Sequence, residues 1–209
     1  SGGSLAESHP FIKRPDGIFW RGNSAGGGNV QGVPYMGFHR QRLVAKLGVA
    51  EAIAHGVRTD IGFDEFVQCE EKVCNRLKAK FETKDALDAR KSCLTNKFAI
   101  DVDGNTFSKS VLSLLHCGVL VFKAGIFSVW HDDAIRPWEH YIPIDLDFQD
   151  LENKVKWAQN HIHEATSIAT EGAIASVTRV RRADMECYMS RLLLEYARLL
   201  PRNQSLANI

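Results

Sequence analysis

The stretch of the chain that most restricts its fold is residues 97–122. An apolar segment at 97–102 predicts a β-strand and leads into a polar turn at 103–110. Apolar residues at helical spacing follow at 111–115, and a second apolar segment at 118–122 predicts another strand. Strand, loop, helix and strand in this order form the repeating unit of a parallel sheet. We therefore predict an α/β fold, with a Rossmann-like parallel sheet flanked by helices.

The polar turn at 103–110 is a candidate binding site. In folds of this kind ligands bind beyond the carboxyl ends of the strands, which is where this turn lies. It contains Asp103, Gly104, Asn105 and Ser108, and it ends where the predicted helix begins. Because free N–H groups and the helix dipole attract anions at a helix start, we expect a phosphate there.

Composition restricts the class of protein. The chain has 209 residues, is 44% hydrophobic and carries a formal net charge of +1, which predicts one globular domain with a sizeable core. Near-neutral charge gives no support to nucleic-acid binding, so no nucleic-acid partner is expected. The longest strongly apolar stretch, 119–122, is far too short to cross a bilayer, and no signal peptide begins the sequence.

The rest of the chain predicts further elements of an α/β domain. Residues 1–16 are interpreted as a linker or the end of a preceding domain, 17–200 as the domain itself and 201–209 as a tail. A helix at 183–199 carries apolar positions that are expected to face the core. The other elements, by residue range, are strands at 17–20 and 57–61, a glycine-rich loop at 23–35, a helix at 37–47, a largely helical segment at 63–81 with some loop around Cys69, an aromatic loop at 124–143, and helices at 150–163 and 164–176.

Five cysteines leave at least one without a partner inside the chain. Cys69 and Cys74 are close enough in sequence for a loop disulfide, although spacing alone does not fix geometry. Cys117 lies in an apolar context, which predicts a buried thiol. No Cys-x-x-Cys pair suggests zinc.

Several short motifs, taken in chain order, resemble those of glycosyltransferase family 90. That family includes fungal capsule xylosyltransferases and animal protein O-glucosyltransferases, and the fungal branch is the more similar. The resemblance covers about 19–199. Its motifs are Trp20-Arg21-Gly22-Asn23-Ser24, His39-Arg40-Gln41-Arg42, TDIGFDEFVQC at 59–69, the segment 100–108, Trp130-His131-Asp132, PWEHYIP at 137–143, Asp184-Met185 and LLLEYARL at 192–199.

The resemblance implies a function and a larger architecture. The chain would be the carboxyl-terminal, donor-binding half of a GT-B glycosyltransferase that moves xylose or glucose from a UDP-sugar to a glycan or protein hydroxyl. An upstream domain would bind the acceptor and supply the catalytic base, so no catalytic residue is assigned here. Neither a metal nor a cofactor is implied. The expected location is the lumen of the Golgi or ER, in a membrane-anchored protein of the secretory pathway.

A metal-free donor site must offset the diphosphate with cationic side chains. Arg21 suits this because it follows a strand and precedes a glycine-rich turn. Of Arg40 and Arg42, one is expected to bind phosphate and the other to be solvated. Glycines 26–28 either let the backbone approach the ligand or form a flexible loop. The residues expected to bind the donor are Arg21, Gly22, Ser24, Arg42, Asp103, Gly104, Asn105, Ser108 and Lys123.

Two other interpretations of polar clusters receive less weight. Asp101 and Asp103 form a DxD triplet whose carboxylates could meet one cation, but Asp101 lies inside a predicted buried strand and the resemblance implies a metal-independent fold. His161, His163 and Glu164 lie on different faces of a helix, which favours a solvated surface. Aromatic residues at 138–141 either line the pocket or serve packing.

The sequence departs from the family pattern at two places. Ser110 stands where the family has an arginine that grips the diphosphate, and Lys109 beside it lacks the guanidinium fork. Val129 stands where the family has a glutamate suited to the donor ribose. Both changes favour an alternative in which the chain keeps the fold as a binding or partner module without turnover. A nicotinamide-binding Rossmann enzyme is a third hypothesis. It lacks support, because no G-x-G-x-x-G motif follows a predicted strand.

Overall fold

A computed structural model describes residues 10–28, 30–48, 52–53, 56–86 and 89–200. Within these ranges six strands form one sheet in the order β2-β3-β1-β4-β5-β6. Neighbouring strands are parallel except for β2 and β3, which are antiparallel. The strands are β1 Gly17–Gly22, β2 Ala52–Ile53, β3 Val57–Phe63, β4 Phe98–Val102, β5 Leu120–Ala124 and β6 Ile142–Pro143.

Helices cover both faces of the sheet, as the sequence predicts. They are α1 His39–Leu47, α2 Glu71–Lys80, α3 Ala89–Thr95, α4 Val111–His116, α5 Leu151–Asn160, α6 Ile162–Thr178 and α7 Arg182–Leu199, with short 3-10 helices at Phe11–Lys13 and Tyr35–Gly37. The unit predicted at 97–122 is present as β4, α4 and β5. Every residue of β4 is buried, which accounts for its mostly apolar sequence, with Asp101 as the single charged residue.

The alternation of side chains along the strands divides the core in two. On one face Ile18, Phe98 and Phe122 pack with apolar residues of α1, α2 and α5. On the other face Phe19 and Val121 pack with residues of α3, α4 and α6. The second face matters for the site. The polar residues near the ends of β1, β4 and β5 point to the same side of the sheet as Phe19 and Val121.

Four predicted boundaries need correction. The helix expected from residue 63 begins only at Glu71, because Phe63 still pairs with Gly22 as the last residue of β3. The strand expected at 118–122 starts at Leu120 and runs to Ala124. In the aromatic loop, Ile142–Pro143 adds an edge strand beside β5. The break between α5 and α6 falls at His161.

The last helix, α7, is not packed as the sequence predicts. Its apolar positions were expected to face the core, yet none of its residues is buried. Leu199 is 81% exposed and Leu193 61%. The amphipathic pattern is real, but apart from the contact of Tyr188 with Trp130 the described residues leave most of the apolar stripe uncovered. No helix among the described residues is both long and apolar enough to cross a membrane.

Two disulfides join segments of the domain. Cys69 and Cys74 are bonded, with Cα atoms 5.4 Å apart, in a loop disulfide that their spacing allows but does not determine. Cys93 of α3 is bonded to Cys117 after α4, with Cα atoms 6.0 Å apart. The prediction of a free buried thiol at Cys117 is therefore wrong. The residue is buried, but its partner 24 positions upstream gives no signal in sequence. Cys187 is free and exposed.

Residues 10–16, placed outside the domain by the sequence, pack against it. Phe11 is buried and meets Phe98 edge to face, with ring centroids 6.1 Å apart. The Arg14 guanidinium is buried and donates to the carbonyl oxygens of Cys117 and Gly118 at 2.9 and 3.0 Å. This segment therefore belongs to the core of the described fold.

Candidate functional site

Polar side chains end three neighbouring parallel strands at the same edge of the sheet. Asp101 of β4 is in register with Lys123 of β5, and Arg21 of β1 follows Phe19 on the same face. A cavity of about 410 Å³ lies at this edge, where ligands of parallel α/β folds bind. We call it the main cavity because of this position and not because of its size. Its polar lining includes Arg21, Arg40, Asp101, Ser108, Lys109 and Ser110.

Arg21 lines this cavity, but its guanidinium is already engaged. Nη2 donates to Asp60 Oδ1 at 2.7 Å and Nε to the carbonyl oxygen of Asp85 at 3.0 Å, and the side chain is only 7% exposed. Lys84 contacts the same Asp60 oxygen at 3.3 Å. Burial alone would raise the pKa of Asp60, but the hydrogen bond and charge of Arg21, with Lys84, outweigh it and lower the pKa. Arg21 is therefore held in place by the sheet.

Asp101 and Ser108 form the floor of the candidate site. Asp101 is 1% exposed, and its Oδ1 accepts a 2.5 Å hydrogen bond from Ser108 Oγ. The Ser108 oxygen in turn accepts from the Ser110 backbone N–H at 3.2 Å. Burial raises the pKa of Asp101 to about 6, with Ser108 and the charge of Lys123 acting in the opposite direction. This carboxyl is therefore protonated more readily than an exposed aspartate, but is still mostly ionised at neutral pH.

Asp103 joins the loops that follow β4 and β5. Its Oδ1 accepts from the Ser108 N–H at 3.1 Å, and its Oδ2 accepts from the Ile126 and Phe127 N–H groups at 2.8 and 3.4 Å. A Cβ on Gly125 would lie 2.8 Å from the same oxygen, so this close approach requires glycine. Asp103 therefore fixes the geometry of both loops, and its expected contact with a donor stays a prediction.

The two carboxylates of the DxD triplet have separate partners. Asp101 is bonded to a hydroxyl on the floor of the cavity, whereas Asp103 accepts backbone N–H groups beyond the end of β4. Across the described residues, no group of three or more His, Cys, Asp or Glu side chains is arranged to hold a metal ion. Metal-independent donor binding stays a prediction.

The start of α1 is tied to the same loops. His39 Nε2 and Arg40 Nε donate to the Asp103 carbonyl oxygen at 2.5 and 2.9 Å. Arg40 Nη1 also reaches the carbonyl and side-chain oxygens of Asn23, and its guanidinium lies 5.7 Å from the Trp20 ring. Burial is the main reason why the pKa of His39 lies below its usual value. Sequence reasoning gave His39 no role, because a histidine at a helix start carries no specific signal.

Neither Arg40 nor Arg42 is the solvated surface charge that was expected of one of them. Arg42 is half-buried and donates to the carbonyl oxygens of Gly37 and, at 2.8 Å, Leu146. It lines a separate cavity of about 250 Å³ that also includes Gly125 and Leu146. Arg40, rather than Arg42, shares the main cavity with Arg21. The predicted phosphate contact of Arg42 therefore stays a prediction without a place in that cavity.

The glycine-rich loop approaches the 103–110 turn closely. Asn105 Oδ1 accepts from the Gly26 N–H at 3.0 Å, and Gly26 has a φ of +112°, which favours glycine. A Cβ on Gly104 would lie 3.0 Å from Arg40 Nη2. These two loops, with Phe127 and His39, enclose a cavity of about 570 Å³. In this structure the glycine backbone therefore approaches the 103–110 turn, and its expected approach to a ligand stays a prediction.

Ser24 and Gly22 shape the strand end. Ser24 is fully buried, and its hydroxyl donates to the Val67 carbonyl and accepts from the Val67 N–H at 3.0 and 2.9 Å. A Cβ on Gly22 would lie 3.0 Å from the Trp20 ring. Both residues position the loop after β1 in this structure, and their expected contact with a donor stays a prediction.

Lys123 lies beside the floor of the cavity. Its Nζ is 5.7 Å from the Tyr141 ring, a cation–π contact that places Tyr141 near the site. Trp138 instead packs edge to face on Trp157, with ring centroids 5.2 Å apart. His140 is buried, and its Nδ1 accepts from the Arg136 N–H at 2.9 Å. Of the aromatic loop, Tyr141 therefore approaches the site, and the other two serve packing.

His161 and His163 do not form a site. The His161 ring stacks on Trp157, with centroids 5.1 Å apart, at the break between α5 and α6. His161 is therefore stacked on an aromatic ring and is not fully solvated, as the surface interpretation expected it to be.

Of the two departures from the family pattern, one lines the main cavity and the other does not. Ser110 is exposed in the main cavity. Val129 is half-buried, and its N–H donates to Asp132 at 2.9 Å. A further cavity, of about 380 Å³, is lined by Ser108, Lys109, Trp130 and His131. Burial lowers the pKa of His131, whose Nδ1 has no partner among the described residues.

The helix after the 103–110 turn is shorter than an anion site needs. Helix α4 has six residues, and the Ser110 N–H at its start is taken up by Ser108 Oγ. A helix of less than two turns sums few peptide dipoles. Any anion here would therefore depend on the cationic side chains of Arg21, Arg40 and Lys109.

Comparison with solved structures defines the class of fold. TarM matches 85% of this chain and 35% of its own chain, with a TM-score of 0.55 at 13% identity. Anabaena HepE, solved in complex with UDP-glucose, matches 95% of this chain and 54% of its own, with a TM-score of 0.51 at 12% identity. The fold is that of a Rossmann-like half of a GT-B glycosyltransferase.

The family model for glycosyl transferase family 90 matches residues 38–207. The chain belongs to glycosyltransferase family 90, as its motifs indicated. Protein O-glucosyltransferase 2 of Danio rerio is 34% identical over 106 residues, which are 49% of this chain and 21% of the relative. The O-glucosyltransferase rumi homolog of Anopheles gambiae is 26% identical over 213 residues, 90% of this chain and 53% of the relative. The chain thus spans between a fifth and about half of these relatives.

Proposed function

We propose that this chain binds the donor of a UDP-sugar-dependent glycosyltransferase. The observation that carries the proposal is the cavity of about 410 Å³ at the carboxyl edge of β1 and β4, lined by the cations Arg21, Arg40 and Lys109. Cationic groups in a partly buried site can offset a diphosphate as charge builds on the departing UDP. The HepE structure, of the same fold, was solved with UDP-glucose.

The wider activity extends this proposal. The sugar is glucose or xylose, and the acceptor is a hydroxyl of a glycan or protein, in line with the names of the animal relatives and the fungal resemblance. This chain forms the carboxyl-terminal half, and an upstream domain binds the acceptor and supplies the base. The proposed location is the lumen of the Golgi or ER, in a membrane-anchored protein. The lumenal location agrees with the two disulfides, which form in oxidising compartments.

A family member without turnover is the second candidate, favoured by Ser110. This residue lines the main cavity with a neutral hydroxyl where a guanidinium is expected from the family pattern. The difference between the two contacts is on the order of 1–2 kcal/mol. The contact is most valuable in the transition state, so its loss lowers turnover more than binding. The chain would then act as a nucleotide-sugar-binding or partner module.

Titration calorimetry tests donor binding and its independence from metal. We expect the chain to bind UDP weakly, with the same affinity in the presence and absence of EDTA. Binding that EDTA abolishes would contradict the metal-free proposal, and no binding to UDP or any UDP-sugar would contradict donor binding itself.

A UDP-release assay on the full-length protein separates enzyme from module. The wild type is expected to turn over UDP-xylose, UDP-glucose and UDP-galactose slowly or not at all. Ser110→Arg combined with Val129→Glu should raise UDP affinity, and should raise turnover if the upstream base is intact. Robust wild-type turnover that the double variant does not improve would mean that Lys109 or another residue fills the role, and would rule out the module.

A further inference from the structure

One oxygen of the buried Asp101 is unused by the described residues. Oδ1 accepts from Ser108, whereas Oδ2 is inaccessible to water and has no hydrogen-bond partner among them. A buried carboxylate oxygen without a partner loses its hydration with no compensation, so native proteins seldom retain one without a use. Asp101 lines the main cavity, and a ligand that displaces the atoms covering Oδ2 could supply the missing donor.

The nearby cations do not use this oxygen. The Arg21 guanidinium bonds to Asp60 and Asp85, and Arg40 bonds to Asp103 and Asn23. Lys123, beside Asp101 on β5, contributes charge at longer range and lies over Tyr141. None of the described ion pairs includes Asp101, so its negative charge remains available to a ligand.

The chemistry of the oxygen selects the group that it can bind. A diphosphate has no hydrogen to donate at neutral pH, and its charge would repel a carboxylate. A sugar hydroxyl is a neutral donor, and a hydrogen bond to an ionised acceptor is stronger than one between neutral groups. A cavity of about 410 Å³ is large enough for a sugar ring.

We propose that Asp101 Oδ2 accepts a hydrogen bond from a sugar hydroxyl of the nucleotide sugar, with Ser108 orienting the carboxylate. The hydroxyl belongs either to the ribose or to the transferred sugar, two sources with the same chemistry. The proposal rests on the proposed function and adds a specificity contact to it. The arginines and Lys109 then face the diphosphate, while Asp101 selects against ligands that lack the hydroxyl.

Calorimetry with four ligands tests the contact in the wild type and in Asp101→Asn. The ligands are pyrophosphate, UDP, 2′,3′-dideoxy-UDP and UDP-glucose. We expect Asp101→Asn to bind UDP-glucose about tenfold or more weakly, the loss of one charge-assisted hydrogen bond, with pyrophosphate affinity unchanged. An equal loss for UDP and none for dideoxy-UDP assigns the contact to the ribose. A loss for UDP-glucose alone assigns it to the transferred sugar.

Asp64→Asn is the matched control, because Asp64 also lines the cavity but is exposed. It removes the same charge without removing the buried acceptor, so it should leave all four affinities unchanged or slightly higher. Asp101→Asn should melt at or above the wild-type temperature, since it removes a buried charge while Ser108 keeps an acceptor. A cooperative melt shows that lost affinity does not come from unfolding.

The pH dependence of wild-type binding tests the contact without a substitution. The diphosphate of UDP-glucose does not titrate near pH 6, whereas Asp101 does, with Ser108, Lys123, Arg40 and Asp103 around it. Affinity for UDP-glucose should fall as the pH drops through about 6, because protonation removes the charged acceptor. Asp101→Asn should abolish this fall in affinity. A fall that persisted in the variant would instead be due to another group, such as His39 or His131.

Three outcomes would overturn the inference. These are unchanged or tighter binding of UDP-glucose by Asp101→Asn, an equal loss for dideoxy-UDP and UDP, and wild-type affinity that rises on acidification. The last would place Asp101 against the diphosphate. If the wild type bound none of the three uridine ligands, the proposed function itself would fail, a result distinct from binding that Asp101→Asn retains.

Discussion

At the residue scale, Arg21 lines the candidate site and is also bonded to neighbouring segments of the domain. It was selected from sequence as a phosphate ligand, and in the structure it lines the main cavity while bonding to Asp60 and the Asp85 carbonyl. The Arg21 guanidinium therefore has little freedom to move when a ligand binds. A phosphate in the cavity would have to approach a guanidinium whose position is already fixed. Preorganised charge of this kind is what stabilises a leaving group without a cost in reorganisation.

Arg21→Ala is expected to weaken both folding and donor binding. The free energy of unfolding should fall by about 1–3 kcal/mol, because a largely buried charge-assisted pair is lost. UDP affinity should fall about tenfold. Chemical denaturation and calorimetry measure the two effects. Lys84→Ala, which removes the more exposed cation at Asp60, is the control and should change each much less.

Acid titration provides a second check on the Arg21 pair. The folded-state pKa of Asp60 is lowered, so the stability from this pair is present above the unfolded pKa and is lost as pH falls through the folded pKa. Arg21→Ala should reduce this loss in acid. A folded Arg21→Ala protein with unchanged UDP affinity would mean that the residue serves the sheet alone.

Sequence reasoning predicted which residues would lie together at the sheet edge, but not the hydrogen bonds between them. The 103–110 turn and Arg21 do lie at one edge, because parallel strands end together. What spacing could not show is that Asp101 and Asp103, two residues apart, have different partners, since β4 ends at Val102 and the chain then turns. The pairing of Arg21 with Asp60 depends on β3 lying beside β1, a neighbour set by tertiary structure.

At the scale of elements, long apolar segments were predictable and short or interrupted ones were not. The unit of β4, α4 and β5 was identified because apolar residues dominate each of its three elements and a polar turn separates the first two. The two-residue β6 was missed, because it lies in an aromatic loop and owes its conformation to β5. Helix α2 was extended too far towards β3, since Phe63 and Phe66 suit either structure in sequence, and Phe63 is in the sheet.

The two disulfides should differ in their effect on stability. Replacing Cys93 and Cys117 by serine should lower the free energy of unfolding by about 3 kcal/mol, because the bond closes a loop of 24 residues. Replacing Cys69 and Cys74, which close a loop of five, should cost less, about 2 kcal/mol. Chemical denaturation under non-reducing conditions measures both. Equal losses, or a larger loss for the short loop, would contradict the loop-length argument.

At the scale of the whole molecule, α7 leaves the domain with an uncovered apolar stripe. Its residues are three or four positions apart and share one face: Met185, Tyr188, Met189, Leu192, Tyr196 and Leu199. Periodicity predicted the stripe correctly but gave the wrong environment, because a pattern shows that a face is apolar and not what packs against it. The stripe touches the domain where Tyr188 meets Trp130, with ring centroids 5.8 Å apart.

We expect the chain produced alone to self-associate through α7. Leu192→Lys combined with Leu199→Lys should shift it to monomer and reduce binding of an apolar dye, because charges replace the exposed stripe. Light scattering after gel filtration measures the mass. Leu194→Lys, on the opposite side of the helix and with an exposure between those of Leu192 and Leu199, is the control. All variants carry Cys187→Ser, so that this free thiol cannot link chains while the two disulfides stay intact. A chain that is otherwise wild type, stays monomeric and binds no dye would contradict the prediction.

The packing of residues 10–16 sets a rule for building chimeras between members of the family. Arg14 closes the end of α4 by bonding to the Cys117 and Gly118 carbonyls, while Phe11 fills the core beside Phe98. A donor domain transplanted from Gly17 onward would leave those carbonyls without their buried donor and open a cavity at Phe98. A hybrid enzyme that exchanges sugar specificity should therefore be joined upstream of Pro10, so that this segment travels with the strands it seals.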